Sequence, residues 1–258
     1  MLAELFQTDI FALFLVFSRM GSALMLLPGY GEPYVNPRFR LMLAIAISLV
    51  ITPLASPYLP PMPGNFIHLL LLLIGEIIIG LFIGAVARFL LSTLQVAGMV
   101  IAYQAGLANA FVKDPVSQSQ GALFGAFLTI TGLLMIFTTD LHYMFIHALV
   151  DSYTLFTPGA PLPFGEFSEV LSRVISDSFS MSIRIAAPFL VMGLIFYLGL
   201  GLLGRLMPQV QVFFIVLPVQ VALGMFVLAF TFGAGLTLWI AYFESVFSGF
   251  MILEQGNG

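Results

Sequence analysis

FIHLLLLLIGEIIIGLFIGAVARFLLSTLQVAGMVIAYQAGLANAFV, residues 66–112, carries two formally charged side chains, Glu76 and Arg88. A spanning helix needs ~20 apolar residues to cross a ~30 Å hydrocarbon core. As one helix this stretch would be ~70 Å long at ~1.5 Å per residue. The length predicts a break, and Arg88, Gly98 and Gly106 are the places for it. The reading is one crossing over 66–87, then an apolar segment over 89–112 that need not cross.

Composition supports a lipid environment. The chain has 258 residues, 60% hydrophobic and 8% charged, with a mean hydropathy of +1.11. Soluble domains carry about 25% charged residues. A chain with so few polar groups cannot cover a water-facing surface, so its solvent is lipid or equally apolar subunits. Its 27 phenylalanines and 24 glycines suit closely packed apolar helices. The net charge of −4, without a basic cluster, argues against nucleic acid as a partner. The absence of cysteine excludes disulfides, thiolate metal sites and a cysteine nucleophile.

Further apolar stretches at 10–27, 41–55, 121–150, 181–207 and 210–243 predict an all-α polytopic membrane protein. With about six apolar helical segments, the whole chain, 1–258, reads as one membrane domain. The first twenty residues lack the basic region of a signal peptide, and 10–27 reads as a retained membrane segment. Pro/Gly-rich breaks are expected at 28–38, 52–65 and 157–167, and MPQ at 207–209 separates the last two runs. An amphipathic stretch follows over 166–180. Arg38, Arg40, Arg88, Lys113 and Arg205 fall at one set of turns, which are expected to be cytoplasmic.

Several patterns invite a chemical reading. GLGLLG (199–204) matches a dinucleotide fingerprint, but it lies inside an apolar run, and Gln220 stands near the place of the required acidic residue. Helix packing through small residues is the better reading, there and at GLFIG (80–84) and GALFG (121–125). His142 and His147 are five apart, a poor spacing for one helical face. No hydrolytic elbow, P-loop or paired carboxylates are evident, so neither an enzymatic activity nor a cofactor is expected. Glu76, Arg88 and Arg184 lie in or beside apolar runs, and each needs a partner, a water-filled neighbour or a path to the interface.

The segment YQAGLANAFVKDPVSQSQG (103–121) is the remaining candidate. It has small residues at Gly106, Ala108 and Ala110, and it contains the chain's lysine, Lys113. Asp114–Pro115 stops a helix entering from the N-terminal side. Non-helical backbone at membrane depth is tolerated where protein buries it or a water-filled cavity receives it. The residues leave two readings open, a re-entrant segment that closes a pore and an ordinary surface loop.

RLMPQVQVFFIVLPVQVALGM (205–225) resembles the signature region of the FliR family of flagellar type III export-gate proteins, through Arg205, Pro208, Gln209, Phe213, Pro218 and Gly224. GLANAFVKDP resembles that family's Gly-Leu…Asp-Pro loop, through Gly106, Leu107, Asp114 and Pro115. Arg19, Pro28, Pro37, Arg38 and Pro53 match its opening pattern, and 140–153 resembles its mid-chain helix. The resemblance implies a one-copy gate subunit, assembled with FliP-like and FliQ-like subunits and joined by an FlhB-like protein. It implies a helical gate arrangement in the bacterial inner membrane, at the flagellar basal body, that passes unfolded flagellar subunits. The loop over 106–120 would then plug the closed channel, with Phe111 sealing and Asp114–Pro115 fixing the turn. Lys113 stands where such a seal would take an apolar residue.

Two alternatives stay open. One is the injectisome counterpart, an SctT-like subunit. The other is a small-solute transporter, which predicts a midplane site and a repeated half; Gly/Pro breaks are present, but no repeat is clear.

Overall fold

The computed structural model of the chain describes residues 2–107, 123–206 and 212–252. Those residues form helices and connecting turns, with no strand among them. The helices are α1 (Leu2–Leu24), α2 (Pro37–Ala55), α3 (Phe66–Gln104), α4 (Leu123–Thr138), α5 (His142–Leu155), α6 (Phe164–Leu206) and α7 (Val212–Ile252), with a 3-10 turn at Ser56–Tyr58. The all-α expectation is met. Four helices are long and apolar enough to cross a membrane, or five if the bent pair α4–α5 is one span, and the apolar part of α1 is shorter. About six apolar segments were expected from length and hydropathy.

Local chemistry explains most boundaries. α1 ends just before Pro28–Gly29, where Gly29 takes a φ of 84°. α2 starts with Pro37 in its first turn, and the Asn36 side chain accepts from the Arg38 amide at 2.9 Å. Ala44, Ser48, Ile51 and Ala55 form the buried stripe of α2, and α2 packs on α1. Residues 59–65 and 157–163 lie outside the helices, as their proline and glycine content predicts.

Four expectations are corrected. α3 does not break at Arg88 or Gly98; it runs unbroken for 39 residues. Arg88 reaches out of the helix to Glu32, so it needs no break. Gly98 is a contact point: a Cβ there would collide with the backbone of Gly125 and with the Phe124 carbonyl. The run 121–150 is two helices, α4 and α5, bent by 72°. Asp140, with a φ of 60°, sits at the bend. Pro53 does not end α2 at once; the helix runs on to Ala55. The amphipathic stretch 166–180 continues without interruption into 181–206 as α6.

The chain divides into two compact units, and α3, α4, α6 and α7 contribute residues to both. The first comprises 1–89, 136–174 and 244–258. Its core holds Leu15, Met20, Leu27, Phe145 and Phe247, with Phe82 stacked on Phe167 at 4.2 Å and Phe156 edge-on to both. The GLFIG reading holds here, since Gly80 and Gly84 lie against the backbone of α1 at Arg19 and Ala23. The second unit comprises 90–135 and 175–243. Leu90, Leu94, Phe189, Trp239 and Phe243 fill it. The Trp239 indole donates to the Leu90 carbonyl at 2.9 Å, and Ser182 donates to the Thr93 carbonyl at 2.9 Å. These bonds lock α7 and α6 onto α3 inside an apolar core, where an unmet polar group is costly.

Gly98 and Gly75 provide an internal comparison on one helix. Gly98→Ala meets backbone that cannot swing aside, whereas a Cβ at Gly75 meets nothing within 4 Å. Gly98→Ala is expected to destabilise detergent-solubilised protein by ~1–3 kcal/mol. Gly75→Ala is expected to be neutral or stabilising by up to ~1 kcal/mol. Thermal unfolding of the two variants side by side checks this.

Candidate functional site

α3 ends in a bonded cap. Gly106, with a φ of 72°, turns the chain. The Leu107 amide donates to the Ala102 carbonyl at 2.9 Å and the Gly106 amide to the Tyr103 carbonyl at 3.2 Å. This pair of bonds is a Schellman closure, and it leaves the Gln104 carbonyl without a donor from its own helix. Gln220 of α7 supplies that donor. Its side-chain Nε2 donates to the Gln104 carbonyl at 2.8 Å and to the Tyr197 Oη of α6 at 3.1 Å.

The surrounding glycines show how close the approach is. Gly193 leaves the space taken by the Gln104 side chain, and Gly224 leaves the space taken by Ala105. A Cβ on Gly106 would lie 3.0 Å from the Gln220 amide carbon. Three consecutive residues, 104 to 106, are thus each met by a different residue of α6 or α7. Gly193 and Tyr197 are one turn apart on α6, and Gln220 and Gly224 are one turn apart on α7. All these residues lie in the second unit.

The first unit holds a buried ion pair. Arg19 is 0% exposed and Glu76 1%. The guanidinium donates to both carboxylate oxygens, Nε to Oε2 at 2.7 Å and Nη2 to Oε1 at 3.1 Å. Nη1 donates to Ser152 Oγ at 2.9 Å, Nη2 also donates to the Phe156 carbonyl at 2.8 Å, and the group lies 3.9 Å from the Tyr153 ring centre. The pair joins α1, α3 and the end of α5. A groove of about 610 Å³ beside it has His68 and Glu76 as its titratable lining, and Arg19 already engages Glu76. Among the described residues, no group of three His, Asp or Glu could hold a metal.

The structure places the sequence candidates unevenly. Gly106 and Leu107 form the cap, and Gly224 packs against it at Ala105. Pro218 lies inside α7, two residues before Gln220. Arg38 is exposed at the start of α2, and Arg205 is exposed in the last turn of α6. Phe213 lies in the first turn of α7. Phe111, Lys113, Asp114, Pro115, Pro208 and Gln209 lie outside the described residues. Glu76 and Arg88 have partners, Arg19 and Glu32, whereas Arg184 is exposed with no ion-pair partner among the described residues. The glycines of GLGLLG meet nothing within 4 Å, so the packing expected there is not seen among the described residues. Sequence reasoning missed Tyr197, Gln104 and the hydrogen bonds of Gln220; a lone glutamine in an apolar run was the available signal.

Membrane-length apolar helices in an all-α chain define a polytopic membrane protein. The family described as "Bacterial export proteins, family 1" matches residues 10–246. The flagellar biosynthetic protein FliR of Caulobacter vibrioides is 35% identical over 237 residues, covering 92% of this chain and 94% of that protein. FliR of Escherichia coli K12 is 30% identical over 208 residues, 78% of this chain and 77% of that protein. The Yop proteins translocation protein T of Yersinia pestis is 27% identical over 228 residues, 86% of each. The chain belongs to the FliR family of bacterial export proteins.

The buried pair yields a direct test. Removing one partner leaves an uncompensated charge, at ~3–5 kcal/mol, whereas replacing both with apolar residues of similar volume is often close to neutral. Arg19→Met and Glu76→Leu are each expected to reduce folded protein sharply. The double variant is expected to recover most of it, measured as monodisperse yield and denaturant midpoint in detergent.

Proposed function

We propose that the whole chain, 1–258, acts as the one-copy structural and gating subunit of a flagellar type III protein export gate. It works in the bacterial inner membrane at the flagellar basal body, with FliP-like, FliQ-like and FlhB-like proteins. Unfolded flagellar subunits pass through the assembled channel, and the chain shapes that path instead of catalysing a reaction. The observation that carries this reading is the clamped end of α3. A gating segment needs a fixed stem, and residues 104–107 are held by a closed cap, a buried amide and three glycine contacts.

Surface composition agrees with an assembled role. Leu194, Leu202, Phe226 and Phe230 are among many large apolar side chains left exposed on α6 and α7. Lipid or partner subunits of matching apolarity would cover them. A second reading, an injectisome gate subunit, has one specific observation in its favour, the similarity to the Yersinia translocation protein.

Native mass spectrometry tests the assembly. Co-expressed with FliP- and FliQ-like neighbours, the chain is expected in one large complex at one copy. A lone monomer or homodimer beside well-expressed neighbours would count against the proposal. Restored swimming of a flagellar strain that lacks its own family member separates the flagellar reading from the injectisome one. Deleting residues 108–120 is expected to make the assembled complex leak small solutes, and an equally tight deletion complex would remove the gating role.

A further inference from the structure

We propose that the start of α2 and the groove between α1 and α2 form a binding site for an anionic phospholipid, with the phosphate at Arg38 and an acyl chain in the groove. The site lies wholly in the first unit, and it stands whether or not the gate reading does.

The charge at this end of α2 is unbalanced. The Arg88 guanidinium bonds the Glu32 carboxylate, so that acid is already engaged. Arg40 Nη2 donates to the Glu32 carbonyl at 2.9 Å, a neutral acceptor that leaves the Arg40 charge uncompensated. Arg38, two residues earlier, is exposed and forms no ion pair among the described residues. Two excess positive charges therefore stand in the first turn of a helix long and apolar enough to cross a membrane. Tyr34, exposed three residues before the helix, is of the type enriched at headgroup depth. A guanidinium there suits a phosphate, whose oxygens accept its parallel N–H groups.

Below Arg38 the surface turns apolar along one line. Met42, Ile45 and Leu49 follow at four, seven and eleven positions, which is one face of a helix, and all three are exposed. Ile45 faces Leu13, Phe14 and Phe17 of α1 across a groove of about 280 Å³ lined by these four side chains. An apolar cavity of ~150 Å³ already takes up benzene, so the groove has room for a length of acyl chain. Seven residues of helix set Ile45 about 10 Å from Arg38 along the axis. The matching ligand is apolar over that distance and anionic at one end. A phospholipid has both properties, and basic sites beside spanning helices take anionic head groups. An extended acidic peptide would meet the arginine but leave its own backbone polar groups unmet in the groove.

The test is native mass spectrometry of the full-length chain in a neutral detergent, titrated with an equimolar mixture of dioleoyl phosphatidylglycerol and dioleoyl phosphatidylcholine. The chain is expected to retain the anionic lipid in preference. Arg38→Gln is expected to weaken its retention about 5-fold and Arg38→Glu about 25-fold, with the neutral lipid unaffected. Arg173→Gln removes an exposed arginine elsewhere in the same unit and is expected to change neither. Ile45→Trp fills the groove and is expected to weaken both lipids, by about 4-fold for each methylene displaced. Equal retention of the two lipids by the unaltered chain would overturn the proposal. So would Arg38 variants that behave like Arg173→Gln, or an Ile45→Trp chain that binds both lipids normally. If Arg38→Glu keeps the anionic lipid but no longer co-purifies with the co-expressed neighbouring subunits, the surface belongs to a protein and the lipid site is overturned. Should Ile45→Trp not fold, Phe14→Ala, which removes an exposed part of the opposite wall, decides in its place.

Discussion

The Arg19–Glu76 pair is the constraint on which the first unit depends. A guanidinium inside an apolar core persists only with its donors matched, and the acceptors come from α3, from α5 and from the residue after it. Bidentate geometry explains why lysine would not serve, since an ammonium cannot bond both carboxylate oxygens in a fixed plane. The pair in turn depends on Gly80, which lies one turn after Glu76 and lets α3 approach the α1 backbone at Arg19 and Ala23 and the Ser22 hydroxyl. Charge, glycine and helix spacing therefore form one arrangement. Any one of them changed alone leaves the others unsatisfied.

The second unit solves a related problem without a charge. Trp239, Ser182 and Gln220 each donate from α6 or α7 to a backbone carbonyl of α3, at Leu90, Thr93 and Gln104. Between apolar helices, dispersion contacts give adhesion but little register, and a hydrogen bond to one particular carbonyl supplies the register. Gly193 and Gly224 allow α6 and α7 this close approach to the end of α3, and Gly98 and Gly125 allow the same between α3 and α4.

Much of the fold was legible because it follows from local sequence. The helices outside 103–121, the turns at 59–65 and 157–163, and the close packing at Gly80 and Gly84 come from composition, proline and spacing. What failed was non-local. Arg88 looked like a break because a charge within an apolar run is costly, yet Glu32, 56 positions away, answers it. Nothing near Glu76 in the sequence points to Arg19, 57 positions earlier. Gln220 was weighed only as a missing acidic residue in a nucleotide fingerprint, because its partner is a main-chain atom that sequence does not display. The α4–α5 bend had a faint signal in Thr138–Thr139–Asp140, a short polar interruption of an apolar run.

The uninterrupted length of α3 carries a geometric consequence. At ~1.5 Å per residue, its axis extends ~58 Å. Fitting that into a ~30 Å hydrocarbon layer by leaning alone would require a tilt of about 60°, and spanning helices ordinarily lean by no more than about 40°. The surplus cannot stand bare in water either, because the helix is apolar at both ends and its first turns already expose Phe66, Ile67 and Leu71. Some of α3 must be covered by protein instead of lipid, as α6 and α7 cover it at Leu90, Thr93 and Gln104. At 39 residues α3 is therefore longer than a plain lipid bilayer requires, and lipid alone cannot be its whole surroundings.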